Sequence, residues 1–279
     1  MSRRVLLAGG LGLVLAGCTG QAVTRDPAGA TVDSIPQSTA ATTVRTVGPR
    51  STPPTTAAGI SSPEDDLTTS QPVPTTVPAA GPAAEIGTGP PGKPMVALTF
   101  HGGDDPATAR AILAVCAERS ARVTVLAIGT WLASNPSMAA EILGGGHDLG
   151  NHTWSHQVLA DLGEAEVRDE IVRCRDLLVA QTGSPGAFFR TSSGQHASPL
   201  ILREAGLAGY PICLSYDVDP EDWTDPGAEA VRSGVAQATA GSIVSLHFGH
   251  PGTVDALPGI LDDLSARGLE PVTAGTLLR

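Results

Sequence analysis

Met95-Val96-Ala97-Leu98-Thr99-Phe100-His101-Gly102-Gly103-Asp104-Asp105-Pro106 contains the fold in miniature. Its first six residues are a short, largely apolar run of strand type. Asp105 then offers a side-chain cap, and Pro106 brings a preset φ to the first position of a helix. In that helix Ala109, Ile112, Leu113 and Cys116 share one face. The alternation repeats downstream. Strands are expected over 123–128, 147–151, 187–190, 211–217, 242–247 and 270–273. A helix starts at Asn135-Pro136 and ends before Gly144-Gly145-Gly146. Another has Val167, Ile171, Cys174 and Leu178 at spacings of four, three and four, and stops at Gly183. Seven strands alternating with helices predict parallel βα units, in a doubly wound sheet or a closed barrel.

Outside this region the composition changes. All nine aromatic residues and all seven histidines of the 279-residue chain lie at or beyond Phe100, whereas residues 19–92 hold 12 of the 23 prolines. One folded domain is therefore expected, over 93–279, long enough to bury a core without a disulfide or metal scaffold. Residues 18–92 read as a disordered tether rich in proline and threonine, because proline removes backbone donors and no aromatic is present to nucleate packing. The net charge of −11 repels nucleic-acid phosphates and anionic headgroups, so neither is an expected partner.

Residues 1–17 have two arginines and an apolar run from Val5 to Ala16, too short to span a bilayer but suited to an export signal. The sequence Leu15-Ala16-Gly17-Cys18 looks like the lipobox at which bacterial lipoproteins are cleaved and lipidated. Cys18 is accordingly the expected lipid anchor, placing the domain outside the membrane and facing the wall or periplasm. The alternative is an ordinary cleaved leader. The other three cysteines, Cys116, Cys174 and Cys213, match no metal spacing and read as small buried hydrophobes.

The polar residues fall in a pattern. His101, His152, His156, Arg190, Asp219, Asp222, Trp223 and His247 all sit at or just past the C-terminal ends of the expected strands. In a parallel barrel, side chains from different strands converge at that end. In Gly150-Asn151-His152-Thr153-Trp154-Ser155-His156, two histidines four positions apart can present both imidazoles to one divalent cation.

With that string following a strand, the chain from about Met95 to Leu278 resembles the polysaccharide deacetylase family (carbohydrate esterase family 4, the NodB homology domain). The resemblance implies a distorted (β/α)7 barrel and a divalent metal, zinc being the expected ion. It makes His152 and His156 metal ligands and His247, in Ile243-Val244-Ser245-Leu246-His247, the acid for a leaving amine. It gives Asp219 the carboxylate role in catalysis, and Asp222 and Trp223 places in the substrate groove. Arg190, in Arg190-Thr191-Ser192-Ser193-Gly194, matches the arginine that orients the family's catalytic aspartate.

The first motif departs from the family's Thr-Phe-Asp-Asp-Gly-Pro. Aligned without a gap, His101 stands at the base and Gly102 at the metal carboxylate. His101 is then the candidate third ligand of a three-histidine site, with Asp104 or Asp105 as base, and restoring both aspartates is expected to return the lost groups. Two functions follow from the resemblance. One is metal-dependent hydrolysis of N-acetyl groups on an acetylated cell-wall polysaccharide. The other is an inactive glycan-binding or regulatory pseudo-deacetylase.

Overall fold

The computed structural model describes residues 81–279. The leader, Cys18 and the tether up to residue 80 lie outside the described residues. The elements run β1 (Ala84–Ile86), β2 (Met95–Gly102), α1 (Pro106–Glu118), β3 (Thr124–Ala127), α2 (Gly129–Ser134), α3 (Met138–Gly144), β4 (Asp148–Asn151), α4 (Glu164–Thr182), β5 (Phe188–Phe189), α5 (Pro199–Leu207), β6 (Ile212–Leu214), α6 (Ala228–Val235), β7 (Ile243–His247), α7 (Pro251–Ala266), β8 (Glu270–Val272) and α8 (Ala274–Leu277).

Every strand pairing is parallel, in the order β1-β6-β5-β4-β3-β2-β7, with β8 beside the first half of β2. The sheet curls toward closure. Past β6, Val218 forms a parallel bridge with Val244 of β7, and the Asp217 carboxylate accepts from the Ile243 backbone N–H at 2.7 Å and the Ser242 hydroxyl at 2.9 Å. This is the distorted (β/α)7 barrel of the expectation, and all seven expected strands are present.

Local chemistry sets the elements. Asp105 caps α1 by accepting from the Ala107 N–H, Pro106 occupies its first turn, and Ala109, Ile112 and Cys116 are buried. In α4 the expected stripe of Val167, Ile171, Cys174 and Leu178 is buried, and Gly183 ends the helix at φ 77°, a left-handed conformation that glycine adopts without steric cost. Phe100, Ile112, Val125 and Phe248 are fully buried in the largest apolar cluster. Each such side chain contributes about 1.5–3 kcal/mol on leaving water. The three cysteines are buried and unpaired, with their thiols pushed up to about 12 by burial, as small hydrophobes should be.

Two features differ from the sequence reading. The tether was expected to run to residue 92, yet β1 lies within it and pairs Ala84–Ile86 with Ile212–Leu214. Three residues between prolines carry too little periodicity to be seen, and the pairing depends on a partner strand about 130 residues away. Helix α2 was also unforeseen. Its first N–H groups bond outside the helix, from Gly129 and Thr130 to the Thr153 and Trp154 carbonyls at 2.9 and 2.8 Å. That contact ties α2 to the turn carrying the paired histidines.

Candidate functional site

The parallel register brings the chemistry to one end of the barrel. His101 of β2 is directly opposite His247 of β7, and the ends of β3, β4 and β5 align beside them. The His101 ring centroid lies 4.2 Å from that of His152 and 4.3 Å from that of His247, and His152 lies 4.8 Å from His156.

The turn after β4 is held from three directions. Asn151 accepts from the Thr153 N–H at 2.8 Å and donates to the Ile171 carbonyl at 2.9 Å and the Tyr210 hydroxyl at 3.0 Å. Glu170 of α4 accepts from the Ser155 N–H at 2.8 Å and its hydroxyl at 2.6 Å. Thr153 and His156 both adopt positive φ, at 68° and 59°. Strain of this kind costs about 1–3 kcal/mol per residue and persists where the surroundings enforce it. It is concentrated here: among the described residues, the non-glycine residues with positive φ are Asp104, Thr153, His156, Ser193, Glu221 and Asp225 around the site, and Ser120 away from it.

His101, His152 and His156 each offer a nitrogen within 4.8 Å of the other two. The hydrogen bonds fix which nitrogens are free. His152 Nδ1 faces the Arg190 carbonyl at 3.2 Å, and since a carbonyl only accepts, Nδ1 carries the proton. Its Nε2 is buried without a partner. His101 Nε2 is 3.4 Å from the Ser245 hydroxyl, and its Nδ1 is likewise buried without a partner. Burial, followed by the neighbouring imidazoles, holds His101 and His152 well below the usual histidine range, and burial also lowers His156. Neutral imidazoles can ligate a divalent metal, and the cluster of His101, His152 and His156 could hold one. The residues therefore fit the group that the resemblance implies.

His247 belongs to a second unit. Its Nδ1 lies 2.7 Å from Asp222 Oδ1, while Asp222 Oδ2 accepts from the His247 backbone N–H at 2.9 Å and from the Thr253 hydroxyl at 2.6 Å. Asp222 is only 1 % exposed, so this carboxylate is fully paired inside the protein. The pairing corrects the expectation for the fourth motif. Asp219, expected as the catalytic carboxylate, caps the Glu221 N–H at 2.8 Å at the cavity mouth, and Asp222, expected in the groove, holds His247. Glu221 in a left-handed conformation reverses the chain between them, which spacing alone does not show. Trp223 lines the cavity and is 54 % exposed.

Arg190 does not orient a carboxylate. Buried to 1 % exposure, it donates from Nε to the Leu214 carbonyl at 2.7 Å and from Nη2 to the Ser215 carbonyl at 3.2 Å, and its guanidinium lies over Tyr216. Nη1 has no partner, and burial brings the group down to about 10, still a cation at neutral pH. It fastens the end of β5 to the end of β6.

Above the histidines is a cavity of about 530 Å3 reached by His156, His247, Asp104, Asp219, Tyr216 and Trp223, with His250 and Ser193-Gly194 at its edge. Tyr216 and His250 were not singled out in the sequence. His250, three residues past His247 and bonded to Asp225 at 2.8 Å, could have been found from that spacing, whereas Tyr216 lies just past β6, in the segment that goes on to bridge β7 at Val218.

Fold and site together define a parallel barrel with a three-histidine cluster and a carboxylate–histidine pair under one cleft. Residues 88–213 match the polysaccharide deacetylase family. A peptidoglycan-N-acetylglucosamine deacetylase of Bacillus cereus is 32 % identical over 190 residues, covering 66 % of this chain and 88 % of the relative. A chitooligosaccharide deacetylase of Rhizobium leguminosarum bv. phaseoli is 32 % identical over 163 residues, covering 57 % and 70 %. Among solved structures, a mutant of a carbohydrate esterase family 4 pseudoenzyme with restored enzymatic activity superposes with a TM-score of 0.66 at 25 % identity, covering 70 % of this chain and 71 % of that one; its wild type comes from Bacillus anthracis. The chain belongs to the polysaccharide deacetylase family.

Proposed function

We propose that the protein is an exported, metal-dependent deacetylase that hydrolyses N-acetyl groups on a cell-wall glycan, tethered to the membrane through a lipid on Cys18. The observation that carries the hydrolase reading is the cluster of His101, His152 and His156, whose inward nitrogens include two buried atoms with no protein partner. Unsatisfied buried polar atoms cost about 1–3 kcal/mol each, so two of them within this cluster support an ion held by it. Zinc, when bound, polarises a carbonyl and activates water.

The chain's own residues do the rest. Asp222 fixes the His247 ring through Nδ1 and leaves Nε2 to protonate a departing amine. Trp223 and Tyr216 offer aromatic faces against which a sugar ring can stack. The cleft is open at the strand ends, as a polymeric substrate requires. Among the described residues no helix is long and apolar enough to cross a membrane.

A second reading, an inactive glycan-binding pseudo-deacetylase, draws on Gly102, which cannot ligate, and on the structural relative described as a pseudoenzyme. One experiment separates the two. Purified protein is loaded with zinc, and its metal content and its deacetylation of an N-acetylglucosamine oligomer are measured for wild type and His101→Ala. The hydrolase reading expects one zinc per chain, turnover, and a loss of affinity in His101→Ala exceeding the 10–100-fold typical of losing an outer-shell partner. Zinc binding without turnover supports the pseudoenzyme.

A further inference from the structure

Hydrolysis of an amide needs a group to accept a proton from the attacking water, and the histidines described above are otherwise engaged. His101 and His152 belong to the candidate metal cluster, each with a buried ring nitrogen that has no protein partner, and His247 is committed to Asp222. Two acids follow β2. Asp105 is spent on the helix cap, its carboxylate 3.0 Å from the Ala107 N–H and 3.4 Å from the Thr108 hydroxyl. Asp104 is different in each respect. Its side chain lines the cavity with His156 and His247, and no hydrogen bond or ion pair engages its carboxylate among the described residues.

The backbone is built to hold it there. Asp104 adopts a φ of 59°, outside the regions that L-residues favour, and its carbonyl is pinned by the Trp131 indole N–H at 2.9 Å. Opposite stands Gly249, two residues past His247. A Cβ at that position would overlap the Asp104 Cβ and Oδ2 and lie 2.7 Å from its Cγ. The β7–α7 loop is thus cut back where the carboxylate projects, and the loop is itself anchored by the Phe248 N–H on the His101 carbonyl at 3.1 Å.

From the strained turn, the glycine slot and the open cavity, we infer that Asp104 is the proton acceptor of the hydrolysis, held at the cavity wall by Gly249 and Trp131. This rests on the hydrolase reading above. The carboxylate takes one proton from water as its oxygen bonds to the acetyl carbon. The C–N bond breaks, the nitrogen lone pair takes the proton from His247, and the acid product releases its own proton to solvent. Asp104 then returns its proton to His247 through water, so the cycle closes with one water consumed.

The test uses the zinc-loaded protein and the variants Asp104→Asn, Gly249→Ala and Asp105→Asn. Zinc affinity, kcat and KM on an N-acetylglucosamine oligomer, and affinity for acetate as a product anion are measured for each. Asp104→Asn is expected to keep zinc affinity within about threefold and KM nearly unchanged, while kcat falls about 10²–10⁴-fold. The same variant should bind acetate at least about threefold tighter, because a negative charge lining the cavity has gone. Gly249→Ala should lower kcat by displacing the carboxylate, and Asp105→Asn should leave kcat unchanged. An active wild type with an equally active Asp104→Asn, or with unchanged acetate affinity, overturns the assignment and leaves the hydrolase reading standing. A wild type that binds zinc but never turns over overturns both.

Discussion

The substitution Gly102→Asp tests where the first motif points. By alignment it restores a metal carboxylate, but the strand geometry disagrees. Successive side chains alternate across a strand, so if His101 faces the cavity, residue 102 faces the helix layer. A Cβ on Gly102 would lie 2.9 Å from Val125 Cγ1, 3.1 Å from Ala127 Cα and 3.2 Å from Ala127 Cβ, and both neighbours are fully buried in the main apolar cluster. The contact at 3.1 Å is with backbone of a paired strand, which cannot swing away. Overpacking of that kind costs about 1–3 kcal/mol. A carboxylate without a partner in an apolar layer adds several kcal/mol more. The sum is about 4 kcal/mol or above, a large part of the 5–15 kcal/mol that holds a domain together.

In urea, with a slope of about 2 kcal/mol/M, the unfolding midpoint of Gly102→Asp should fall by about 2 M, read by circular dichroism. Gly102→Ala should fall by less, and His101→Asp, whose side chain faces the cavity, should remain near wild type. The reasoning is refuted if Gly102→Asp unfolds at the wild-type midpoint and binds zinc more tightly, since the strand end would then turn residue 102 toward the histidines. On this account restoring both aspartates fails through Gly102, not through His101.

Two further outcomes are expected. His101, His152 and His156 are held below the ordinary value of 6.5 in the folded, metal-free protein, so the unfolded chain takes up protons first as pH falls; stability should be level above pH 6.5 and decline below it, by up to about 4 kcal/mol per pH unit while all three stay neutral. Denaturant midpoints at pH 7.5 and 5.5 check this, and equal midpoints would contradict it. A chain beginning at Lys93 lacks β1 and the Glu85 carboxylate that accepts from the Ala197 N–H at 2.6 Å, so it should melt below one beginning at Gly81. A loss of about 2 kcal/mol, from two or three backbone bonds at about 1 kcal/mol each, lowers Tm by roughly 4–8 °C; equal melting temperatures would show that β1 contributes nothing.

Much of this was legible in the sequence. The seven long-enough strands, the α4 stripe and the Asp105-Pro106 cap are written in local periodicity and capping chemistry, which act over a few residues and need no partner. The pairing of His152 with His156 was equally plain, because both sit in one short turn. The roles of Asp219 and Asp222 were exchanged in the reading, since the left-handed Glu221 that sends one to the mouth and the other beneath His247 is set by packing against β7 and α7. Arg190 looked like an orienting group and proved to be a buried clamp on the Leu214 and Ser215 carbonyls, contacts that exist only once β5 lies beside β6.

Local periodicity and motif spacing thus establish the alternation that makes the barrel, the histidines at its strand ends, and the absence of aspartate at positions 101 and 102. Only the tertiary structure decided that His101 joins His152 and His156 while Gly102 turns into the core, and that Asp104 meets Gly249 across the cleft. Those facts depend on the relative twist and register of β2, β3, β4 and β7, which are fixed by side chains packing across the sheet and have no expression in any single stretch of chain.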